Sequence, residues 1–162
     1  MAKDLDVIQT GRLILRGIGE GDAPEIVEWR SDPDAYRFFK SPHKITLREH
    51  TDWYRDRYLF NENRFDWMAV ERETGRKIGV FGLVRDGGTA EVNYILSPDA
   101  RHRGYAREAV ERLMQYARER WQVERILAEI HRDNKASVAL AERLGFTVLS
   151  SEGEFIIYVV EG

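Results

Sequence analysis

The chain has 162 residues, 43% of them hydrophobic and 33% charged, with a net charge of −3. That composition describes one globular domain with a core of its own; it excludes a disordered chain and gives no general attraction for nucleic acid. The absence of cysteine excludes disulfides, thiolate metal sites and a cysteine nucleophile.

Arg12 to Ile18 alternates in the manner of a strand, with Leu13 and Leu15 set against Ile14 and Arg16. Asp22-Ala23-Pro24-Glu25 reads as a helix start with Asp22 as its cap; this helix carries Ile26, Val27 and Trp29 and stops near Ser31-Asp32-Pro33. Asp34 to Lys44 is expected to be an irregular loop containing Tyr36, Phe38 and Phe39. Thr46-Leu47-Arg48-Glu49 is a capping box that opens a second helix, running to about Phe60. Its face of Leu47, His50, Tyr54 and Tyr58 is polar-tipped, which suits either a cavity wall or packing against the preceding loop.

Asp66 to Glu71, Lys77 to Arg85 and Glu91 to Leu96 form a predicted three-strand antiparallel meander, joined at Glu73–Arg76 and Asp86–Gly88. From Ala106, apolar positions recur at Ala109, Val110, Leu113, Met114 and Ala117, the spacing of a helix with one buried face. Glu124 to His131 alternates Ile126, Ala128 and Ile130 with Leu127 and Glu129. It follows a strand and a helix, so it is expected to lie parallel to the Glu91–Leu96 strand. Asn134 caps a short helix that turns Val138, Ala141 and Leu144 inward and ends at Gly145, and Glu154 to Val160 is the closing strand. No apolar run approaches the roughly 20 residues of a membrane span, and residues 1–10 lack a signal-peptide apolar segment, so a cytoplasmic protein is expected.

Arg101-His102-Arg103-Gly104-Tyr105-Ala106 brings basic side chains and a glycine to the start of the long helix. Free N–H groups and the positive end of the helix dipole make such a turn a place for phosphate. Gly104 lets the backbone approach closely, and Arg101, Arg103 and Arg107 add charge; a solvated helix face is the alternative for these arginines.

Taken together, these features resemble the GNAT superfamily of acyl-CoA-dependent N-acetyltransferases. The turn fits the family pattern Gln/Arg-x-x-Gly-x-Gly/Ala through Arg101, Gly104 and Ala106. A second family feature is met by Asn134-Lys135-Ala136-Ser137 and the helix end Leu144-Gly145-Phe146. The resemblance spans the chain and implies an α/β fold: a mixed, mostly antiparallel sheet with one parallel, splayed strand pair, flanked by about four helices. It implies acetyl-CoA as co-substrate, held by Ile95, Leu96, Arg101, His102, Arg103, Gly104, Tyr105, Ala106, Asn134 and Ser137, with no metal. Coenzyme A would pair with the strand edge at Tyr94–Leu96. Catalytic positions would be Glu91 as base, Asn93 on the same face, and Tyr94, with an oxyanion donor near the Ile95 N–H. For Glu91 a solvent-facing strand residue is the alternative. The tyrosine that many members place in the Asn-capped helix is Ala141 here, so the usual acid is absent.

Trp29-Arg30-Ser31-Asp32-Pro33 and Ile45 to Tyr54 also resemble a subgroup that acetylates the 4-amino group of nucleotide-linked sugars in pseudaminic-acid-type biosynthesis. On that likeness the small-molecule acceptor would meet Trp29, Phe39, His50 and Trp53, with core packing as the alternative for the aromatics and a structural role for His50. Ribosomal-protein N-terminal and polyamine acetyltransferases are rival readings, as is a non-catalytic module using the basic helix 101–120 on nucleic acid or a partner. Glu108, Glu111 and Glu119 interleave with the arginines of that helix and weaken the last. A monomer and a homodimer are both compatible with the sequence.

Overall fold

The computed structural model describes residues 3–162. Its centre is an eight-stranded sheet, in spatial order β1-β2-β3-β4-β5-β6-β8-β7. The strands are β1 (Ile8–Gln9), β2 (Leu13–Gly17), β3 (Arg64–Glu71), β4 (Lys77–Asp86), β5 (Thr89–Leu96), β6 (Arg125–His131), β7 (Thr147–Glu152) and β8 (Phe155–Glu161). All neighbours pair antiparallel except β5 and β6, as the α/β reading with one parallel pair expects. The predicted meander is β3-β4-β5.

Among the described residues, five α-helices flank the sheet: α1 (Ala23–Arg30), α2 (Pro33–Tyr36), α3 (Leu47–Asp56), α4 (Tyr105–Tyr116) and α5 (Lys135–Arg143). Side-chain alternation along the strands divides the interior in two. On one face α1, α3 and the turn that follows α3 cover β2 to β4, burying Ile26, Trp29, Tyr54 and Tyr58 against Ile18, Met68 and Val80. On the other, α4 presses Ala109, Val110, Leu113 and Met114 onto Leu13, Leu15, Trp67, Phe81 and Leu83. Full burial of a side chain such as Leu113 contributes about 1.5–3 kcal/mol, so this stripe is what fixes α4 to the sheet. Among the described residues, no helix is long and apolar enough to cross a membrane.

Several expectations need correcting. Residues 34–44 are not wholly irregular, because Asp32 caps the single turn of α2 through the Asp34 N–H. The second helix stops at Asp56 and a 3₁₀ turn covers Tyr58–Phe60, while Leu47 is exposed and leaves the face assigned to it. The edge strands β1 and β7 carried no recognisable signal, since one is two residues long and the other is exposed throughout. Asp22 precedes α1 but does not cap it with its side chain. Its carboxylate accepts from the Gly19 N–H (2.9 Å) and pairs with Arg16 and Lys77 (2.9 Å each), binding β2, α1 and β4 together.

One irregularity of the sheet positions the site. β4 and β5 stay in register from Asp86↔Thr89 to Gly79↔Leu96. The parallel ladder of β5 and β6 ends after Glu91↔Leu127, although both strands continue. Beyond that point they diverge and leave an open wedge in the middle of the sheet.

Candidate active site

A cleft of about 850 Å³ runs through this wedge. One half is lined by β5, the turn before α4, and α5; the other by α1, the α2–α3 loop, α3 and the opposite face of β3, β5 and β6.

In the first half, β5 leads through a 3₁₀ turn at Pro98–Ala100 into Arg101–Gly104 and α4. His102 (φ 63°) and Gly104 (φ 79°) both lie in the left-handed region; this is costly for histidine and natural for glycine. The result is a concave turn in which the N–H groups of His102 to Arg107 find no acceptor among the described residues. Arg12 braces it from behind. Its Nη1 donates to the Arg103 carbonyl (3.0 Å), its Nε donates to Glu108 (2.7 Å), and its guanidinium lies 4.2 Å from the centre of the Tyr105 ring. The Tyr105 hydroxyl is spent on Glu71. An array of unpaired N–H groups at a helix start, with the exposed Arg103 beside it, is built for an anion. Arg101 does not point freely at this turn: it pairs with Asp32 at 3.2 Å, linking the turn to the α1–α2 connection.

The open edge of β5 has a definite polarity. The Ser97 N–H donates to the Ile78 carbonyl on β4, and backbone direction alternates along a strand. The Ile95 N–H therefore faces β4 and is used inside the sheet, so the oxyanion donor expected near it must be sought at its neighbours. Tyr94 and Leu96 turn their N–H groups to the wedge. The same alternation sends the Tyr94 side chain to the opposite face from Glu91 and Asn93. Tyr94 stacks on Phe81, with centroids 5.6 Å apart, and shares a 2.8 Å hydrogen bond with Ser137 Oγ. Burial raises its pKa, so it stays protonated, with the Ser137 contact opposing slightly. Asn134 caps α5 through the Ser137 N–H (3.3 Å), which brings Asn134, Ser137 and Tyr94 to one wall of the cleft. Ala141 lies on this wall too and has no proton to give.

In the second half, Glu91 on β5 faces Glu129 on β6. Burial, then the Glu129 charge, raise the Glu91 pKa, while Lys40 and Arg64 pull it back. Lys40, from the α2–α3 loop, pairs with Glu129 at 2.6 Å, and Glu91 itself has no ion pair among the described residues. Asn93 follows on the same face. Across β4, Gly82 leaves room for two side chains at once, because a Cβ there would stand 2.2 Å from Asp66 Oδ1 and 2.9 Å from Asn93 Oδ1. Asp66 is buried, which raises its pKa, and Arg64 holds it at 2.9 Å.

Of the residues assigned to the acceptor, Phe39, His50 and Trp53 line this half. Trp29 does not: only 5% exposed, it packs inside the α1–α3 core, because its position on α1 faces the sheet rather than the cleft. Residues that the sequence reading did not single out here are Arg30, Lys40, Arg64, Asp66 and Phe155. For Asp66 a usable signal existed, since it is an acidic residue on the apolar β3 beside a glycine of β4.

The model of the GNAT acetyltransferase domain family matches residues 12–147. The chain belongs to this family. It is similar to the uncharacterized N-acetyltransferase YoaA of Bacillus subtilis, 28% identical over 145 residues, covering 86% of this chain and 82% of that one. Among solved structures, the spermidine N-acetyltransferase of Vibrio cholerae in complex with CoA and spermine superposes with a TM-score of 0.82 at 18% identity, covering 94% and 96% of the two chains. RimL, the ribosomal L7/L12 alpha-N-protein acetyltransferase in complex with coenzyme A, gives 0.83 at 17%, covering 96% and 98%. At those identities the likeness shows a shared fold. The GNAT member described here is thus an N-acetyltransferase.

Proposed function

We propose that the protein moves the acetyl group of acetyl-CoA to a primary amine of a small molecule, a nucleotide-linked aminosugar, by direct attack in a ternary complex. The observation that carries this reading is the parting of β5 and β6 after Glu91. It opens one continuous passage from an anion-binding turn to an unpaired, half-buried carboxylate. The pyrophosphate of the co-substrate fits the free N–H groups of His102–Arg107, and its pantetheine arm fits the open edge at Tyr94–Leu96.

The acceptor enters from the Phe39–His50–Trp53 side. An alkyl ammonium must lose a proton before it can attack. Glu91 accepts it, helped by a pKa raised toward neutrality by burial and by Glu129. Asn93 orients the amine from the same face. As the N–C bond forms, the carbonyl oxygen becomes an oxyanion, and the Tyr94 or Leu96 N–H at the wedge donates to it. The C–S bond then breaks, and the nitrogen sheds its second proton to solvent to leave a neutral amide. The thiolate is a tolerable leaving group, with a reference pKa of about 8.5, and the Tyr94–Ser137 hydroxyl pair is the proton source on that wall now that Ala141 supplies none.

Polyamine and protein N-terminal acetylation are the alternatives, prompted by the fold shared with the Vibrio cholerae enzyme and RimL. Arg30, a cation of the acceptor half that has no ion pair among the described residues, disfavours a polycation. Thiol release from acetyl-CoA, measured with aminosugar nucleotides, spermidine and N-terminal peptides, separates the three. Preferential turnover of the aminosugar nucleotides is expected, and equal turnover of all three would end the nucleotide-sugar reading.

A further inference from the structure

The cations around the acceptor half differ in how they are satisfied. Arg64 is engaged by Asp66 and Lys40 by Glu129. Arg37 is exposed and lies over Phe38, its guanidinium 4.5 Å from the ring centre. Arg30, the last residue of α1, is half-buried in the cleft wall and has no ion pair or hydrogen bond among the described residues; Phe39 lies under its guanidinium at 5.3 Å. Withdrawing an unpaired guanidinium from water is unfavourable unless something with negative charge arrives to meet it.

His50 lines the same cleft. This side chain is 4% exposed, and its Nδ1 has no hydrogen-bond partner. A buried ring nitrogen left open in a cleft wall is ready to meet a ligand. Burial, and then the Arg30 charge, favour the neutral ring, which can donate one N–H to an oxygen without needing to be protonated.

We propose that Arg30 and His50 form an anion subsite for the acceptor, so that the amine to be acetylated belongs to a molecule carrying a phosphate or a carboxylate. This inference rests on the acetyl-transfer reading and adds to it the residues that would hold the acceptor's anionic group. Arg30 and Glu91 line the same cleft from different elements, α1 and β5. An aminosugar joined to a phosphate, or an amine with a distal carboxylate, carries both the groups these two residues would meet. A polyamine would bring a cation to Arg30.

The test compares acceptors that differ only in the anion: glucosamine against glucosamine 6-phosphate, with 6-aminohexanoate as the carboxylate arm and spermidine as the cation. The wild type should prefer the anionic acceptors in kcat/KM. Arg30→Met should reduce that value about 10- to 100-fold for them, mostly through KM, while neutral glucosamine stays within about threefold. Preference for the phosphate arm identifies the phosphate source, and preference for aminohexanoate the carboxylate source. Acetyl-CoA affinity should be unchanged in Arg30→Met, which separates this subsite from the anion turn before α4. An equal loss for neutral and anionic acceptors, or no loss for either, overturns the proposal. If none of these amines is turned over, the proposed acceptor class fails, and the subsite is decided by calorimetry of inorganic phosphate into CoA-saturated protein. Binding abolished by Arg30→Met supports it; no binding in the wild type overturns it.

Discussion

Replacing Asp22 with asparagine removes a charge while keeping the shape of the side chain at the junction of β2, α1 and β4. Burial alone would raise the Asp22 pKa, but the Arg16 guanidinium, the Gly19 N–H and Lys77 outweigh it and bring the carboxyl to about 2, from 3.8. At 1.36 kcal/mol per pKa unit this is worth about 2.5 kcal/mol at neutral pH. The Asp22 side chain is 4% exposed, so the figure needs little discount for screening at that end. Arg16 keeps 39% of its exposure and can return to water, which makes the figure an upper value. In denaturant titrations at pH 7, Asp22→Asn should be less stable by about 2–2.5 kcal/mol, and its Tm should fall by about 5–10 °C. The folded pKa is depressed, so the carboxylate's contribution is complete above about pH 4 and is lost as pH falls toward 2. Near pH 3 about half of the difference from wild type should remain. A difference that stayed constant from pH 7 to pH 3 would mean that packing, and not the ion pairs, is what Asp22 contributes.

The Glu91→Gln variant should lose about 10²- to 10⁴-fold in kcat with acetyl-CoA affinity intact. As the proposed base, Glu91 must be deprotonated to act and Glu129 raises its pKa, so Glu129→Gln should move the acidic limb of the kcat/KM profile to lower pH; Lys40→Met should move it up. An unmoved limb in both variants would remove Glu91 from the proton transfer. Gly82→Ala places a methyl 2.2 Å from Asp66 Oδ1, which must displace either Asp66 or Asn93. A stability loss of about 1–3 kcal/mol together with reduced kcat is expected, and a variant indistinguishable from wild type in both would show that this part of the face is not rigid.

What could be read from the sequence was periodic. The stripe Ala109, Val110, Leu113, Met114 gave α4 and the face it buries, and alternation along Ile126–Ile130 placed Glu129 and His131 away from the core. Short edge strands such as β1 and β7 offer too few residues for alternation to register, and their exposure removes the apolar signal. Long-range pairing was out of reach for a different reason. Asp22 looked like a helix cap because the residue type suits both roles; only its meeting with Lys77, far along the chain, decides between them. Arg101 likewise fitted a phosphate contact, and its partner Asp32 lies on a connection that no local pattern brings near. Tyr94 lies an odd number of residues from Glu91, so its hydroxyl goes to the other face of the sheet; that it meets Ser137 there depends on α5, which no local pattern brings near.

The central claim is that the turn at Arg101–Ala106 holds the acetyl donor, and titrating acetyl-CoA calorimetrically into wild type, Gly104→Ala and Gly104→Glu tests it most directly. With φ at 79°, any side chain at this position costs about 1–2 kcal/mol. Alanine relieves that strain by moving the turn away from the conformation that aims its N–H groups, so binding should weaken by up to about tenfold. Glutamate adds a carboxylate among the N–H groups proposed to hold the pyrophosphate and should weaken it at least about 100-fold, with the fold retained in a thermal melt. Equal affinity in all three proteins would contradict the claim, and the donor would have to bind elsewhere.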